Sequence, residues 1–413
     1  MLFRSRAISF KSVKTWNSAL ETDVVIYQPR LDRINWIADL SANWVRLKNT
    51  PIADRKIALI LANYPNRDSR IANGVGLDTP TSCLAILKAL KAAGYLVENI
   101  PETGDELIRQ LTASVTNDLE TQNLRPINQS LSLTDWQEYF SKLPEIIQQA
   151  ISDRWGNSEH ELVIPGIELG NIFVGIQPAR GYDRDPSLNY HAPDLEPTPE
   201  YLAYYHWLRT QFVVQAIIHI GKHGNLEWLP GKSIALSPTC YPEIALGTLP
   251  NFYPFIVNDP GEGSQAKRRS HAVIIDHLTP PLTRAELYGD LAKLETLIDE
   301  YYEAQTLDPS RLNTIGDRIA KIVAESHLDQ DLGDSLSSNS LCGFLTRADG
   351  YLCELKEAQI RDGLHIFGSC PPGKQLRDLI AAIARSPSLN RLGLTCAIAQ
   401  DLDLEDRKST RLN

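Results

Sequence analysis

The fourteen residues "HIGKHGNLEWLPGK", positions 219 to 232, place His219, Lys222, His223, Glu227 and Lys232 between glycines, directly after an apolar run. Imidazole and carboxylate are borderline N/O donors, suited to a divalent transition metal and to taking up protons. His219 and His223 have the spacing of a zincin pair, but that motif needs a helix to put both rings on one face and a Glu beside the first histidine. Here Gly221 and Gly224 interrupt any helix and position 220 is Ile, which argues against a metalloprotease. A sharp turn at a strand end, with His219, His223 and Glu227 converging on a metal or a proton, is the chemical expectation. The plainer alternative has His219 as a histidine at the edge of the core and Glu227 and Lys232 in surface ion pairs.

Three further loops carry charge in the same manner. In "FIVNDPGEGSQAKRRSHAVIID", Asn258 and Asp259 end a strand, Glu262 sits in a glycine-flanked turn, and Lys267, Arg268 and Arg269 follow on a short helix. In "YPNRDSRIANGVGLDTP" the candidates are Arg67, Arg70 and Asp78, and in "QPARGYDRDPSLNYH" they are Arg180 and Arg184. Guanidinium groups bind carboxylates bidentately, so these loops together describe one cleft for a ligand with several anionic groups. Each loop read alone is equally a set of internal salt bridges or a solvated basic face.

Nucleotide binding finds no support. "LEWLPGKS" has Leu226 where a phosphate loop needs its first glycine; "GSCPPGKQ", Gly368 to Gln375, lacks the Ser/Thr that would hold magnesium, and its two prolines remove backbone N–H donors. The 41 basic against 51 acidic side chains, a net charge of -10, argue against nucleic acid as the main partner. Six cysteines without a CxxC pair encode neither a zinc knuckle nor a dithiol motif, and reduced thiols in the cytoplasm are expected. No apolar run reaches the length of a membrane span. The first twenty residues are basic and free of acids, which suits a transit peptide or, equally, a basic first strand.

The elements that position these loops are those of an α/β protein with several domains, parallel-sheet regions and helical insertions. "RLDRINWIADLSANWVRLKNT" has helical spacing and closes a leading segment, 1–55. "KIALILANYP", a helix from Pro80 stopped by Gly94, and a short strand after it make a βαβ unit, 56–102. A polar, helix-leaning layer covers 103–160, with "WQEYFSKLPEIIQQAISDRWG" as its clearest amphipathic segment. The region 161–282 should hold strands at "NIFVGIQP", "QAIIHIG", "FYPFIVND" and "HAVIIDH", with helices near 199–211, 241–247 and 262–270. In open parallel sheets ligands collect at the carboxyl ends of the strands, where all four charged loops fall. A helical segment, 283–330, and a smaller α/β unit, 331–406, follow. The last residues, 407–413, "RKSTRLN", look like a non-native tail, the translated read-through of a sequencing adapter.

"LANYPNRDSRIANGVGLDTPTS", "HIGKHGNLEWLPGKS" and "YPFIVNDPGEGSQAKRRSHAVIIDHLTPPLTRAELYG" resemble signatures of the large subunit of cobaltochelatase, the CobN family, and more distantly the large (H) subunit of magnesium chelatase. The resemblance runs from about residue 22 to residue 400. The "KHGNLEW" turn and the "NDPGEGSQAKRR" loop are similar to the cobalt version. Family members are much longer, so the chain is expected to be an internal fragment. The resemblance implies insertion of Co²⁺, as substrate metal, into hydrogenobyrinic acid a,c-diamide during adenosylcobalamin synthesis. It also implies AAA+ ATPase partners, of the CobS/CobT or the magnesium chelatase I/D type, that use ATP and Mg²⁺ which this chain does not bind. On motif position and chemistry, His219, His223 and Glu227 are the candidates for metal delivery and base, and Glu262 is a further catalytic candidate. Arg67, Arg70, Asp78, Arg180, Arg184, Lys222, Lys232, Asn258, Asp259, Lys267, Arg268 and Arg269 are the candidates for holding the tetrapyrrole. The alternatives are magnesium insertion into protoporphyrin IX, a truncated module that binds a tetrapyrrole without turnover, and a scaffold for the ATPase ring.

Overall fold

The computed structural model describes residues 7–11, 14–63, 68, 71, 72, 74, 76–118, 124–181, 194–221, 224–254, 260–276, 293, 294, 296–298, 300, 301, 304, 308–326 and 365–403. The chain divides into two compact units, one of 1–278 with 366–369, the other of 279–365 with 370–413.

The first unit begins with two small antiparallel ribbons, β1 (Ser9–Lys11) with β4 (Tyr27–Pro29) and β2 (Thr15–Asn17) with β3 (Thr22–Val24), followed by helix α1 (Leu31–Asn49). Its centre is a six-stranded sheet made from β5 (Ile57–Leu61), β8 (Gly166–Leu169), β9 (Ile172–Ile176), β10 (Ala216–Ile220), β11 (Asn251–Pro254) and β12 (Val273–Ile275), in the order β12-β11-β10-β5-β9-β8. All neighbours are parallel except β8, which turns back antiparallel on β9. A short ribbon, β6 (Ser130–Leu131) with β7 (Leu162–Val163), stands apart.

Both β5 and β9 are buried along their whole length, which is why they read as continuous apolar runs. The alternation of side chains sends Ile57, Leu59 and Leu61 to one face, against α2 (Thr79–Ala92) and α3 (Gly104–Thr112). It sends Ala58 and Ile60 to the other, against α4 (Leu133–Ser141), α5 (Glu145–Trp155), α6 (Pro199–Thr210) and α7 (Tyr241–Leu246). The amphipathic segment at 136–156 is therefore two helices, because Pro144 cannot continue the first. Helix α6 lies so close on β9 that a Cβ at Gly175 would fall 1.9 Å from the Tyr204 hydroxyl.

The short strand expected after Gly94 does not form. Residues 95–100 contribute a single antiparallel bridge, Val97 to Gly170, and the parallel partners of β5 are β9 and β10, both more than a hundred residues downstream. Asn99 takes a left-handed φ of 49°, which interrupts the extended run. The Gly-Asn pair at 170–171, with Gly170 at φ 71°, is the hairpin turn that sets β8 beside β9.

Numbered by their sequence, the five parallel strands follow the doubly wound order 2-1-3-4-5, so the connections leave β5 and β10 in opposite directions. The crevice of such a sheet opens at the carboxyl ends of these two adjacent strands. The loop after β10 is the "GKHGNLEW" turn, and helix α8 (Pro260–Arg269) follows β11. In the second unit the described helices are α9 (Leu312–Ser326), α10 (Gly373–Arg385) and α11 (Leu394–Asp401). The GKQ of the near-phosphate-loop lies in the first turn of α10.

Candidate active site at the switch point

His219 is the fourth residue of β10, and the pleat points it with Ile217 toward α6. Its ring is buried, with Nδ1 3.0 Å from Asn251 Oδ1 and Nε2 3.0 Å from the Tyr205 hydroxyl. Asn251 Nδ2 donates to the Ser270 carbonyl at 3.0 Å, so its Oδ1 must accept. The arrangement is satisfied by one tautomer, in which Nδ1–H donates to Asn251 and Nε2 accepts from Tyr205. Burial pushes the imidazole down to about 4, against the Asn251 bond, and His219 is neutral at neutral pH. Both ring nitrogens are engaged, so coordinating a metal would require giving up one of these bonds.

From Tyr205 the network continues through Gln177, whose Nε2 lies 3.4 Å from the Tyr205 hydroxyl and whose Oε1 accepts from the Asn225 N–H at 3.1 Å. Asn225 in turn accepts from the Tyr201 hydroxyl at 2.6 Å and donates to the Pro178 carbonyl. The network thus fastens the loop after β9 to the turn after β10. Gly221 enters that turn with φ 129°, and Gly224 packs so tightly that a Cβ would sit 3.1 Å from the Gln177 amide.

Glu227, in a single 3₁₀ turn at Leu226–Trp228, is buried. Its Oε1 accepts from the Tyr253 hydroxyl at 3.4 Å; among the described residues Oε2 has no hydrogen-bond partner. Tyr253 also receives the Gly224 N–H and stacks on His219, with ring centroids 5.8 Å apart. Burial pushes the Glu227 carboxyl up to about 8; its own backbone N–H, the Tyr253 hydroxyl and the Arg269 guanidinium oppose this, while the Glu262 charge adds to it. A carboxyl with proton affinity near ambient pH exchanges protons readily with a ligand.

The other expected residues divide into three groups. Lys232, Lys267 and Arg268 are exposed, and Glu262 is half-buried. Asp78 caps α2 through a 3.0 Å bond from the Thr81 N–H; Arg180 is fully buried and donates to the Leu195 carbonyl at 3.2 Å. Arg269 is buried against the backbone of 227–232. Arg67, Arg70, Arg184, Lys222, His223, Asn258 and Asp259 lie outside the described residues. Among the described residues no three His, Cys, Asp or Glu side chains are grouped to hold a metal, and no helix is long and apolar enough to cross a membrane.

Sequence reasoning missed Gln177, Tyr201, Tyr205, Asn251 and Tyr253. One signal was available: Tyr201 and Tyr205 stand one turn apart on a helix that is otherwise almost wholly apolar on its inner face.

Comparison with known proteins sets this geometry in a family. The family model described as CobN/Magnesium Chelatase matches residues 2–413. The chain belongs to the CobN/magnesium chelatase family. The aerobic cobaltochelatase subunit CobN of Pseudomonas aeruginosa is 49% identical over 411 residues, covering 97% of this chain and 33% of that protein. The CobN protein of a Sinorhizobium species is 50% identical over 391 residues, covering 93% and 30%. The H component of magnesium chelatase from Chlorobaculum parvum is 32% identical over 354 residues, covering 84% and 27%. Among solved structures, the catalytic subunit of cobaltochelatase from Mycobacterium tuberculosis superposes with a TM-score of 0.67 at 37% identity, covering 97% of this chain and 34% of that one. The chain spans about a third of the length of these CobN-family relatives.

Proposed function

We propose that this chain carries the metal-insertion cleft of a cobaltochelatase large subunit, which holds hydrogenobyrinic acid a,c-diamide while Co²⁺ enters it. The observation that carries the reading is Glu227: a buried carboxyl in the turn at the β5/β10 switch point, with Oε2 left open among the described residues. Metal insertion must remove two N–H protons from the macrocycle and strip water from the ion. With its proton affinity raised to about 8 the carboxyl is mostly protonated at neutral pH, and its ionised form is the base that takes a ring proton and passes it on to solvent. The approach of a divalent cation lowers that proton affinity, so arrival of the metal ionises the carboxyl and returns it to its base form.

The exposed Lys267 and Arg268 on α8 hold ligand carboxylates, assisted by Lys232 and by Arg67, Arg70, Arg184 and Lys222 of the neighbouring loops. His223, Asn258 and Asp259 are further candidates for contact with the ligand, and His223 is the first candidate for delivering Co²⁺. Neutral His219 holds the turn in place. ATP hydrolysis, with its Mg²⁺, belongs to AAA+ partner subunits of the CobS/CobT or I/D type, acting in the cytoplasm. The higher identity to the CobN proteins than to the magnesium-chelatase relative supports cobalt over magnesium.

The test is Co²⁺ insertion in the presence of the ATPase partners. Glu227→Gln should lower turnover at least a hundredfold while tetrapyrrole affinity stays within about threefold, the pattern of a lost proton acceptor. Equal loss of turnover and affinity would remove Glu227 from the chemistry.

A further inference from the structure

Within the charge run Lys267-Arg268-Arg269 the third residue differs from its neighbours. Helix α8 turns Gly263, Ala266 and Arg269 inward at successive steps of three, while Lys267 and Arg268 are exposed. The Arg269 guanidinium donates from Nη1 to the Glu227 carbonyl at 2.8 Å and from Nη2 to the Leu229 carbonyl at 2.6 Å. Its Nε donates to the Lys232 carbonyl at 3.2 Å. Three N–H groups of one rigid fork therefore hold three carbonyls of the turn that carries Glu227. Immediately after Arg269, Ser270 accepts from Asn251, the residue that fixes the His219 tautomer. The carboxyl end of α8 is thus fastened at two places, one to the backbone of 227–232 that carries Glu227 and one to the His219 hub.

We infer that Arg269 is a positioning residue, not a ligand for substrate carboxylates: it couples α8 to the Glu227 turn, so that helix and turn move as one body. The exposed Lys267 and Arg268 meet the ligand, and Arg269 transmits the position of their helix to the carboxyl that takes the proton. A lysine cannot replace it, because the three carbonyls are bonded from three separate nitrogens, whereas the donors of an ammonium share one. The inference rests on the proposed function for its consequence in turnover, but the clamp itself is tested without it.

The experiment compares Arg269→Lys, Arg269→Ala and Arg268→Ala in the 413-residue chain. Amide hydrogen exchange over 224–236 is read first. Both Arg269 variants should exchange there at least tenfold faster, Arg268→Ala should not, and millimolar guanidinium should restore protection in Arg269→Ala. Titration with hydrogenobyrinic acid a,c-diamide is read second: Arg268→Ala should raise Kd at least fivefold and Arg269→Lys less than twofold. With the ATPase partners, Arg269→Lys should lower kcat about tenfold at unchanged KM. Unchanged exchange in Arg269→Lys together with a Kd raised as in Arg268→Ala would overturn the inference and make Arg269 a ligand contact. If the wild-type chain bound no tetrapyrrole, the proposed function would fail, and the exchange and guanidinium arms would still decide whether the clamp exists.

Discussion

The buried carboxyl at Glu227 has a consequence for stability that needs no substrate. In the unfolded chain a glutamate loses its proton near 4.5, whereas in the fold burial holds it to about 8. Between these values the folded form binds more protons than the unfolded form, so stability falls as pH rises, by up to about 1.4 kcal/mol per pH unit. The whole displacement corresponds to about 5 kcal/mol, an order-of-magnitude figure. His219 and His206, both pushed down to about 4 by burial, act in the opposite direction: their contribution is lost as pH falls from 6.5 towards 4. Below pH 6.5 the two histidines outweigh the one carboxyl, and stability rises with pH. From pH 6.5 to 8 the Glu227 effect lowers stability by about 1.6 kcal/mol and the tail of the histidine titration returns part of it, which leaves a net fall of about 1 kcal/mol. Urea unfolding of the purified chain at half-unit steps of pH from 6.5 to 8, followed by tryptophan fluorescence, should show this fall in the wild type and, in Glu227→Gln, only the slight rise left by the histidines. At pH 8 the variant should be the more stable of the two relative to their values at pH 6.5. A fall of equal size in Glu227→Gln, or none in the wild type, would refute the assignment of a neutral buried carboxyl.

Asn251→Ala removes the acceptor for His219 Nδ1–H and the donor to Ser270, two buried groups at once, and should cost about 2–3 kcal/mol by the same unfolding assay. Gly175→Ala drives a methyl group into the Tyr204 hydroxyl between α6 and β9 and should cost about 1–3 kcal/mol, with partial recovery in Gly175→Ala/Tyr204→Phe. Arg33 forms a buried 2.7 Å ion pair with Glu243 and donates to the Leu236 carbonyl, tying α1 to α7. Arg33→Met should therefore lower stability by about 3–5 kcal/mol, and adding Glu243→Leu should return much of it.

The sheet was legible where burial on both faces leaves no polar position: "KIALIL", "IFVGI" and "AIIHI" read as inner strands for that reason. The loops at their carboxyl ends followed from the same reasoning, since charged and glycine residues crowd directly after each run. What sequence could not give was the partner of β5, because strand order depends on which crossover closes, and 95–100 is as apolar as many edge strands. The hub around His219 was hidden for a similar reason. Tyr205, Gln177, Asn251 and Tyr253 are scattered along the chain, and only the folded sheet makes them neighbours. The burial of Arg269 was not legible because a basic run suggests one common face, whereas a helical period of three to four turns Arg269 away from the exposed Lys267 and Arg268.

The central claim is that the crevice at the β5/β10 switch point takes a carboxylated tetrapyrrole with Glu227 beside its pyrrole nitrogens. Its most direct test is titration of the chain with hydrogenobyrinic acid a,c-diamide and, in parallel, protoporphyrin IX, following quenching of the seven tryptophans, among them Trp228 in the Glu227 turn. Saturable binding that prefers the corrinoid, weakened at least fivefold in Arg268→Ala and His223→Ala but not in Glu227→Gln, is the predicted result. Preference for the porphyrin, or corrinoid binding indifferent to both Arg268→Ala and His223→Ala, would contradict the account.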